Sequence, residues 1–263
     1  MRPGSSLLID LLICLRFATR LPLPILDVES APHALASFSH ALRLMPAAGA
    51  LIGALAAGAL VIASGLGLPP PLSAPLAIGV LILLSGALHE DGLADCADGF
   101  GGGATRERKL EIMQDSRIGA FGALALALSL YLRVAGLAIV AGRSVSLASA
   151  MLIGAAALSR ATALLPLVLL PPARNSGAGF AAGKPEPAAL RIALSLGCLF
   201  VLAPVIAGGG AAKALFAIAA VSGAALAFAG LARRQIGGQT GDVAGATQQI
   251  GEIIAYLVFA AGN

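Results

Sequence analysis

Long apolar runs separated by short polar stretches make up most of this chain. A helix needs about 20 mainly apolar residues to cross the hydrocarbon core of a bilayer. Six runs approach or reach that length, and we predict each of them to be a membrane-spanning helix: residues 44–66, 76–88 with an extension toward 95, 118–141, 147–170, 190–207 and 214–232. A seventh run, 250–261, is too short for an upright span, so its depth in the membrane stays open.

Polar residues interrupt the apolar pattern near the N-terminus. Residues 5–19 are apolar except for Asp10 and Arg16, which is typical of a helix lying at the membrane surface. The prolines of the segment 17–24 end this helix, and residues 25–42 form a polar loop. Residues 171–189, which contain proline and glycine, predict a second loop.

Composition supports a membrane protein and excludes most soluble classes. Hydrophobic residues make up 58% and charged residues 11% of the 263 positions, whereas a soluble domain carries about 25% charged residues. The chain lacks the alternating strand pattern of a membrane β-barrel. Its three cysteines are scattered and do not predict a disulfide framework. We therefore predict an all-α, polytopic membrane helix bundle of six to seven spans plus the interfacial helix, with residues 1–263 forming a single integral-membrane domain.

The basic residues predict the orientation of the bundle. With the N-terminus in the cytoplasm, almost all lysines and arginines outside the spans lie on the cytoplasmic side, and only Arg143 and Lys213 lie outside. This asymmetry follows the positive-inside rule. The segments 95–117, 171–189 and 233–249 are therefore predicted to share the cytoplasmic face.

The acidic residues are concentrated in one stretch. Seven of the 13 lie in residues 89–121, where Asp91, Asp95 and Asp98 occupy one helical stripe within an arc of about 60°. Carboxylates beside a bilayer are costly, and three on one stripe repel one another unless a cation bridges them. Their oxygens suit Mg²⁺ or Mn²⁺, ions that often bind phosphate oxygens as well. A solvated helix end remains the alternative.

Two glycine-rich stretches are candidate phosphate-binding elements. Residues 99–103, including Gly99 and Gly102, predict a loop whose backbone N–H groups reach phosphates. The turn 237–242 combines Gly238 and Thr240 with Asp242, which we predict to join the acidic stripe as a further metal ligand. An ordinary turn or helix cap also accounts for Asp242.

Several other polar residues are candidates with more than one interpretation. His89 suits a ligand, a proton acceptor or an interfacial histidine. Either Asp115 or Ser116 would cap the following helix, and Arg117 would bind phosphate. Arg160 lies within a span and is predicted to face the bundle interior and pair with an acid, whereas Arg133 is predicted to extend outward along the span.

The motifs together resemble one family. The runs H-E-D-G-L-A-D-C-A-D-G-F-G-G at 89–102 and R-K-L-E-I-M-Q-D-S-R-I-G-A-F-G at 108–122 are similar to those of the cobalamin synthase family, the adenosylcobinamide-GDP ribazoletransferases. Weaker signatures follow the expected order: F-A-T-R-L-P-L-P at 17–24, M-P-A-A-G-A-L-I-G at 45–53, A-L-S-R-A at 157–161 and G-G-Q-T-G-D-V-A-G-A at 237–246. Glu90 departs from the family, which usually has a hydrophobic residue there.

The resemblance implies a Mg²⁺-dependent transferase of the bacterial inner membrane with a cytoplasmic active site. Such an enzyme joins adenosylcobinamide-GDP to α-ribazole or α-ribazole 5′-phosphate and releases GMP. The residues expected to act in catalysis are His89, Asp91, Asp95, Asp98, Asp115 and Arg117. Those expected to bind substrate are Gly99, Gly102, Ser116, Arg160, Gly238, Thr240 and Asp242, and the metal ligands would be Asp91, Asp95, Asp98 and Asp242.

Two other classes of protein compete with this assignment. A CDP-alcohol phosphotransferase also carries an aspartate–glycine motif, but its pattern continues with Ala-Arg where this chain has Asp95 and Cys96. An ion transporter would place its carboxylates near the middle of the membrane, often in broken helices. Here the acids gather at one predicted membrane face.

Overall fold

The computed structural model describes residues 7–25, 38–174 and 184–262, and it is helical throughout apart from loops and one isolated bridge between Pro172 and Gln239. The all-α prediction is therefore confirmed. The helices are α1 (Leu7–Ala18), α2 (Phe38–Ala41), α3 (Met45–Gly65), α4 (Pro70–Ser85), α5 (Leu88–Gly102), α6 (Arg106–Ile112), α7 (Ala120–Arg143), α8 (Val145–Thr162), α9 (Leu164–Leu169), α10 (Pro187–Phe200), α11 (Ala211–Ile236) and α12 (Gly241–Ala260).

The number of long apolar helical stretches agrees with the predicted six to seven spans. Six stretches in the described residues are long and apolar enough to cross a membrane: Phe38–Gly65, Ala120–Arg143, Val145–Leu169, Pro187–Gly209, Ala211–Ile236 and Gly241–Ala260. Helices α4 and α5 pass the same test together, although they meet at an angle of 88°. The chain is therefore a polytopic helical membrane protein.

The prediction that the second span runs straight toward Asp95 is wrong. Gly86, with φ of 61°, ends α4 in a left-handed conformation, and Ala87, with φ of 58°, is left-handed as well. Two consecutive left-handed residues cannot continue a right-handed helix. The acidic stripe consequently lies on a separate helix, α5, which turns away from α4.

The last helix is longer than its hydropathy indicates. It begins at Gly241, where Thr240 caps it by accepting a hydrogen bond from the Val243 N–H at 3.3 Å. The prediction of a loop over residues 233–249 is therefore wrong, because only the turn 237–240 lies outside the helices. Polar residues such as Gln248 and Gln249 lowered the hydropathy of this segment, but both side chains are buried inside the bundle.

Small residues bring α3 and α8 into close contact at the centre of the bundle. A Cβ at Gly49 would lie 2.4 Å from the carbonyl oxygen of Ala156, and one at Gly53 would lie 2.6 Å from that of Leu152. Small residues at such crossings let helix backbones approach closely. This packing makes α8 a central element, and it carries Arg160 into the interior.

The N-terminal segment packs against the start of α3 and the end of α4. Buried Asp10 accepts hydrogen bonds from the Arg43 Nε and Nη2 atoms at 3.0 and 2.7 Å. Farther along, the Arg20 N–H donates to the Leu84 carbonyl at 2.8 Å. These contacts place Phe17 and its neighbours beside the α4–α5 break. The interfacial depth of α1 remains a prediction.

Basic residues near the helix termini lie at the two ends of the bundle. At one end, Arg143 Nη2 donates to the Ala260 carbonyl at 2.8 Å, and Lys213 Nζ donates to the Ala261 carbonyl at 2.6 Å. At the other end, Arg106 donates from Nε to the Ile236 carbonyl and from Nη2 to the Ala173 carbonyl, at 2.8 and 2.7 Å. The two arginine and lysine groups predicted to lie on opposite membrane faces therefore lie at opposite ends.

Candidate active site between helices

A cleft with about 780 Å³ of empty space, its open mouth included, lies beside the α4–α5 break. Its polar wall consists of His89, Asp91, Arg160 and Asp242, which come from three helices that are remote in sequence. The other wall is apolar and is lined by Phe17, Phe38, Leu42, Met45, Leu88, Ala163, Leu164 and Leu167. The cleft therefore brings cationic and anionic side chains together against a hydrophobic surface.

Asp242 lies next to the acidic helix because α5 and α12 cross without side chains between them. A Cβ at Gly92 would lie 2.9 Å from the Asp242 carbonyl oxygen, and one at Gly245 would lie 3.4 Å from the His89 Cα. At Gly92 only glycine permits this approach without a shift of the helices, whereas the position of Gly245 leaves room for a methyl group at ordinary contact distance. The structure thus brings Asp242 beside the acidic stripe, as the sequence predicted.

Asp91 and Asp95 present free carboxylates. Asp91 is exposed at the cleft and Asp95 is half-buried. Neither carboxylate makes a hydrogen bond or ion pair within the described part of the chain. Asp91, Asp242 and Asp98 lie close enough to Asp95 to repel its charge, and Arg174 lies close enough to attract it. Such a group of acids favours a bound cation.

Asp98 has a different environment from the other two aspartates. It is 9% exposed, and its Oδ2 and Oδ1 atoms accept hydrogen bonds from the Gly119 and Gly122 N–H groups at 2.7 and 2.8 Å. A carboxylate at the N-terminus of a helix satisfies free N–H groups and complements the helix dipole. Asp98 therefore caps α7, and its predicted role as a metal ligand has less support than those of Asp91 and Asp95.

Asp115, Ser116 and Arg117 lie in the surface loop between α6 and α7, outside the residues that line the cleft. Asp115 accepts hydrogen bonds from the Arg117 side chain and backbone, which lower the pKa of Asp115 to about 2. The alternative in which Asp115 or Ser116 caps α7 is wrong, because Asp98 provides that cap. Asp115 remains ionised near neutral pH and is a poor proton acceptor.

The predicted glycine loop at 99–103 is not a loop over most of its length. Gly99 and Gly102 belong to α5, and only Gly103 lies beyond the helix. Gly99 packs against Met113, where a Cβ would lie 2.4 Å from its Cγ. The backbone N–H groups of a helix interior are occupied by intrahelical bonds, so the predicted phosphate cradle does not exist in this form.

The second glycine turn pairs with another loop. The Gln239 N–H donates to the Pro171 carbonyl at 2.9 Å, and the Ala173 N–H donates to the Gln239 carbonyl at 2.8 Å. A Cβ at Gly238 would lie 2.2 Å from the Pro171 carbonyl oxygen. Gly238 is therefore needed for the pairing of the two loops, and Thr240 caps α12. The predicted contact of both residues with substrate stays a prediction.

A buried polar network lies beneath the cleft. Arg133 is 1% exposed and pairs with Glu90 at 2.9 Å and Glu252 at 3.4 Å, so the prediction that it extends outward is wrong. Gln249 Nε2 donates to Glu90 at 3.1 Å, and Gln248 Nε2 donates to Glu252 at 2.6 Å. Glu90, which the sequence analysis singled out as a departure from the family, is thus paired with buried Arg133.

Arg160 lies at the boundary between this network and the cleft. It is 3% exposed, and its Nη1 atom donates to the Ala156 carbonyl at 3.1 Å. Its Nε atom has no acceptor within the described residues, and no ion pair to an acid forms there. A buried guanidinium with free donors is a ready partner for an anion that enters the cleft.

Arg174 is a residue of this site that the sequence reasoning missed. Its Nη2 atom donates to Asp242 Oδ2 at 3.1 Å, and Thr240 Oγ1 lies 3.1 Å from the same oxygen. The only sequence signal was its position directly after the apolar run that ends at Pro171 and Pro172. Arg174 brings a positive charge into contact with the acidic group.

The donor set suits a hard divalent cation, although it is not a complete cage. Among the described residues, no three His, Cys, Asp or Glu side chains converge as a preformed ion site. Mg²⁺ commonly binds through one or two carboxylates and completes its shell with water and substrate phosphates. The free carboxylates of Asp91 and Asp95, with Asp242 beside them, fit that type of site.

The fold and the cleft define a helical, polytopic membrane protein with a charged site built from distant helices. The profile of the family described as cobalamin-5-phosphate synthase matches residues 10–260. The chain therefore belongs to the cobalamin-5-phosphate synthase family, and it is a transferase.

Curated relatives match nearly the whole chain. The adenosylcobinamide-GDP ribazoletransferase of Azorhizobium caulinodans is 50% identical over 97% of this chain and 96% of its own length. The proteins of the same name from Bradyrhizobium diazoefficiens and Xanthobacter autotrophicus are each 46% identical, covering 99% and 94% of this chain and 98% and 94% of their own lengths. No solved structure matches the chain.

Proposed function

We propose that this protein joins adenosylcobinamide-GDP to α-ribazole or α-ribazole 5′-phosphate and releases GMP. The observation that carries the proposal is the cleft in which the free carboxylate of Asp91 faces buried Arg160 and Asp242. This arrangement suits a substrate with a diphosphate, and the curated relatives are named for such a substrate.

The charged residues have separate tasks in the proposed reaction. Arg160 binds a phosphate oxygen through its free donors and holds the diphosphate in the cleft. Asp91, Asp95 and Asp242 would hold Mg²⁺, with Mn²⁺ as a substitute, which would neutralise the diphosphate and stabilise the departing GMP. Both sets of charges act where negative charge develops during transfer.

His89 is the proposed acceptor for the proton of the attacking ribazole hydroxyl. It lines the cleft beside Asp91, whereas Asp115, with a pKa of about 2, does not reach the cleft. The hydroxyl oxygen forms a bond to the phosphorus next to cobinamide as the bond from that phosphorus to GMP breaks. The released proton passes to His89, and GMP leaves with the electron pair of the broken bond.

The proposed location is the bacterial inner membrane with the cleft facing the cytoplasm. The cleft lies near the first residues of α5 and of α12. The basic residues of α6 lie at the same end of the bundle. Positive residues favour the cytoplasmic face. Both substrates and Mg²⁺ would then reach the site from the cytoplasm.

Release of GMP by the purified protein tests the proposal. We expect adenosylcobinamide-GDP, α-ribazole and Mg²⁺ together to yield GMP and the joined corrinoid, and omission of α-ribazole to stop GMP release. Parallel reactions should use α-ribazole 5′-phosphate to establish the acceptor, and CDP-alcohols to test the phosphotransferase alternative. No GMP from the complete mixture, or CMP release from a CDP-alcohol, would contradict the proposal.

A further inference from the structure

Arg174 and Asp242 are carried by one small paired unit. Arg174 directly follows Ala173, and Asp242 lies two residues after Thr240, the last residue of the turn 237–240. The two are joined by the backbone hydrogen bonds between Pro171, Ala173 and Gln239. This pairing fixes the guanidinium at the edge of the acidic group. The backbone pairing holds the two segments side by side, which brings the Arg174 guanidinium within reach of the Asp242 carboxylate.

The guanidinium of Arg174 has unused hydrogen-bonding capacity. Its Nη2 atom pairs with Asp242, whereas its buried Nε and Nη1 atoms have no acceptor within the described residues. An unpaired buried donor on a charged group is unfavourable, and such a group calls for a missing ligand or ion. The Nε and Nη1 atoms of Arg174 are therefore available to donate hydrogen bonds to an anion.

Arg174 also balances the charge of the acidic group in the absence of a ligand. It attracts both Asp242 and Asp95, while Asp91 repels both of them. A divalent cation among these carboxylates would supply the same neutralisation and would compete with Arg174 for Asp242. Binding of a cation to Asp242 would therefore weaken the ion pair between that carboxylate and Arg174.

We propose that Arg174 exchanges partners during binding and becomes a ligand of the substrate's diphosphate. In the ligand-free cleft it pairs with Asp242. When a divalent cation binds Asp242, the guanidinium turns its donors to the diphosphate, which offers several acceptor oxygens in the bidentate geometry that arginine prefers. This inference rests on the proposed function, because it takes the diphosphate of adenosylcobinamide-GDP as the anion.

The exchange predicts that one substitution changes two affinities in opposite directions. In Arg174→Gln, Mn²⁺ should bind about tenfold more tightly in the absence of substrate, because a competing positive charge has gone. Adenosylcobinamide-GDP should bind about ten- to a hundredfold more weakly at saturating Mn²⁺, because charged hydrogen bonds to the diphosphate are lost. Electron paramagnetic resonance measures the first affinity, and equilibrium dialysis followed by corrinoid absorbance measures the second.

Arg106→Gln is the matched control, because Arg106 contacts Ala173 and Ile236 near the same turn but makes no contact with Asp242. It should leave both affinities within about twofold of wild type. Arg174→Lys keeps the charge without the bidentate donors, so it should retain the Mn²⁺ affinity and still weaken substrate binding. This variant provides the test if Arg174→Gln does not fold.

Any other pattern overturns the exchange. If Arg174→Gln weakened both affinities, Arg174 would have a structural role. If Arg106→Gln also bound Mn²⁺ more tightly and substrate more weakly, loosening of the turn would by itself explain the effect of Arg174→Gln. A wild-type protein that binds Mn²⁺ but neither binds adenosylcobinamide-GDP nor releases GMP would refute the proposed function instead. The two failures are therefore distinguishable.

Discussion

At the scale of single residues, aspartates of one helix differ in what surrounds them. Asp91 and Asp95 are free of partners in the described residues, whereas Asp98 accepts two backbone hydrogen bonds from the start of α7. All three lie on one stripe of α5, so spacing alone made them equivalent. Their contacts separate a pair suited to a cation from a residue that holds two helices together.

Asp95→Asn should abolish turnover and leave the protein folded. The substitution removes a negative charge from the proposed cation site without removing a contact, because the carboxylate has no partner within the described residues. We expect GMP release to fall about a hundredfold or more, with a melting temperature in detergent no lower than that of wild type, because repulsion from the neighbouring acids is relieved. Near-normal turnover at low Mg²⁺ would show that Asp95 does not hold the metal.

Asp98→Ala should act mainly on stability. It removes the cap of α7 and leaves the Gly119 and Gly122 N–H groups unpaired, a change that costs about 1–2 kcal/mol. Differential scanning fluorimetry in detergent should show a lower melting temperature, in contrast to Asp95→Asn. An unchanged melting temperature with complete loss of activity would instead favour Asp98 as a metal ligand.

At the scale of elements, the site depends on the close crossing of α5 and α12. Gly92 lies against the backbone of Asp242, and Gly245 lies against His89. The crossing is possible because neither helix has a side chain at the contact. The close approach that brings residues from two distant parts of the chain into one cleft therefore depends above all on Gly92.

Gly92→Ala should lower activity although alanine favours helices. Its Cβ would meet the Asp242 carbonyl at 2.9 Å, so the helices must separate and displace Asp242 from Asp91. We expect turnover to fall about tenfold or more, since a small misplacement of catalytic groups is costly. Gly79→Ala in α4 is the control, because no atom lies within 4 Å of its added Cβ. Equal activities of the two variants would contradict the account.

A buried network of charged side chains also connects α5, α7 and α12. Arg133→Met would leave Glu90 and Glu252 buried without their shared cation, which costs about 3–5 kcal/mol. We expect a large drop in melting temperature or failure to fold. Arg143→Met is the comparison, because Arg143 bonds only backbone carbonyls at the bundle end. A similar small effect of both variants would argue against the network's structural importance.

At the scale of the whole molecule, the two ends of the bundle differ in the residues they carry, and the candidate site lies near one of them. One end holds Arg143 and Lys213 with the last turn of α12, and the other holds α6 and the paired loops beside Asp242. The predicted sidedness places the second end in the cytoplasm. The proposed reaction would then draw its nucleotide substrate from the cytoplasm.

Labelling of single cysteines in intact cells tests this sidedness. With Cys14, Cys96 and Cys198 replaced, a cysteine at exposed Ala104 should resist an impermeant maleimide, and one at exposed Ala212 should react. Permeabilised cells should expose both. Reaction of position 104 from outside intact cells would reverse the orientation and contradict a cytoplasmic cleft.

The apolar pattern by itself determined the fold class. Helix formation satisfies every backbone group within one segment, so a chain of long apolar runs has few alternatives in a bilayer. The local run of acids also marked α5 as a candidate site, since charge beside a membrane is costly and is seldom kept without a role. Composition and spacing are sufficient for both conclusions, because each depends on neighbouring residues.

Only the tertiary structure decided which polar residues act together. The break at Gly86 and Ala87 is a backbone property, and the polar start of α12 is helical because its glutamines are bonded inside the bundle. Burial likewise turned Arg133 inward to two acids that are remote in sequence. Arg174 joined the site through a loop pairing that no local pattern encodes. Contacts between distant segments depend on packing, and this is the physical reason that hydropathy and motif spacing could not supply them.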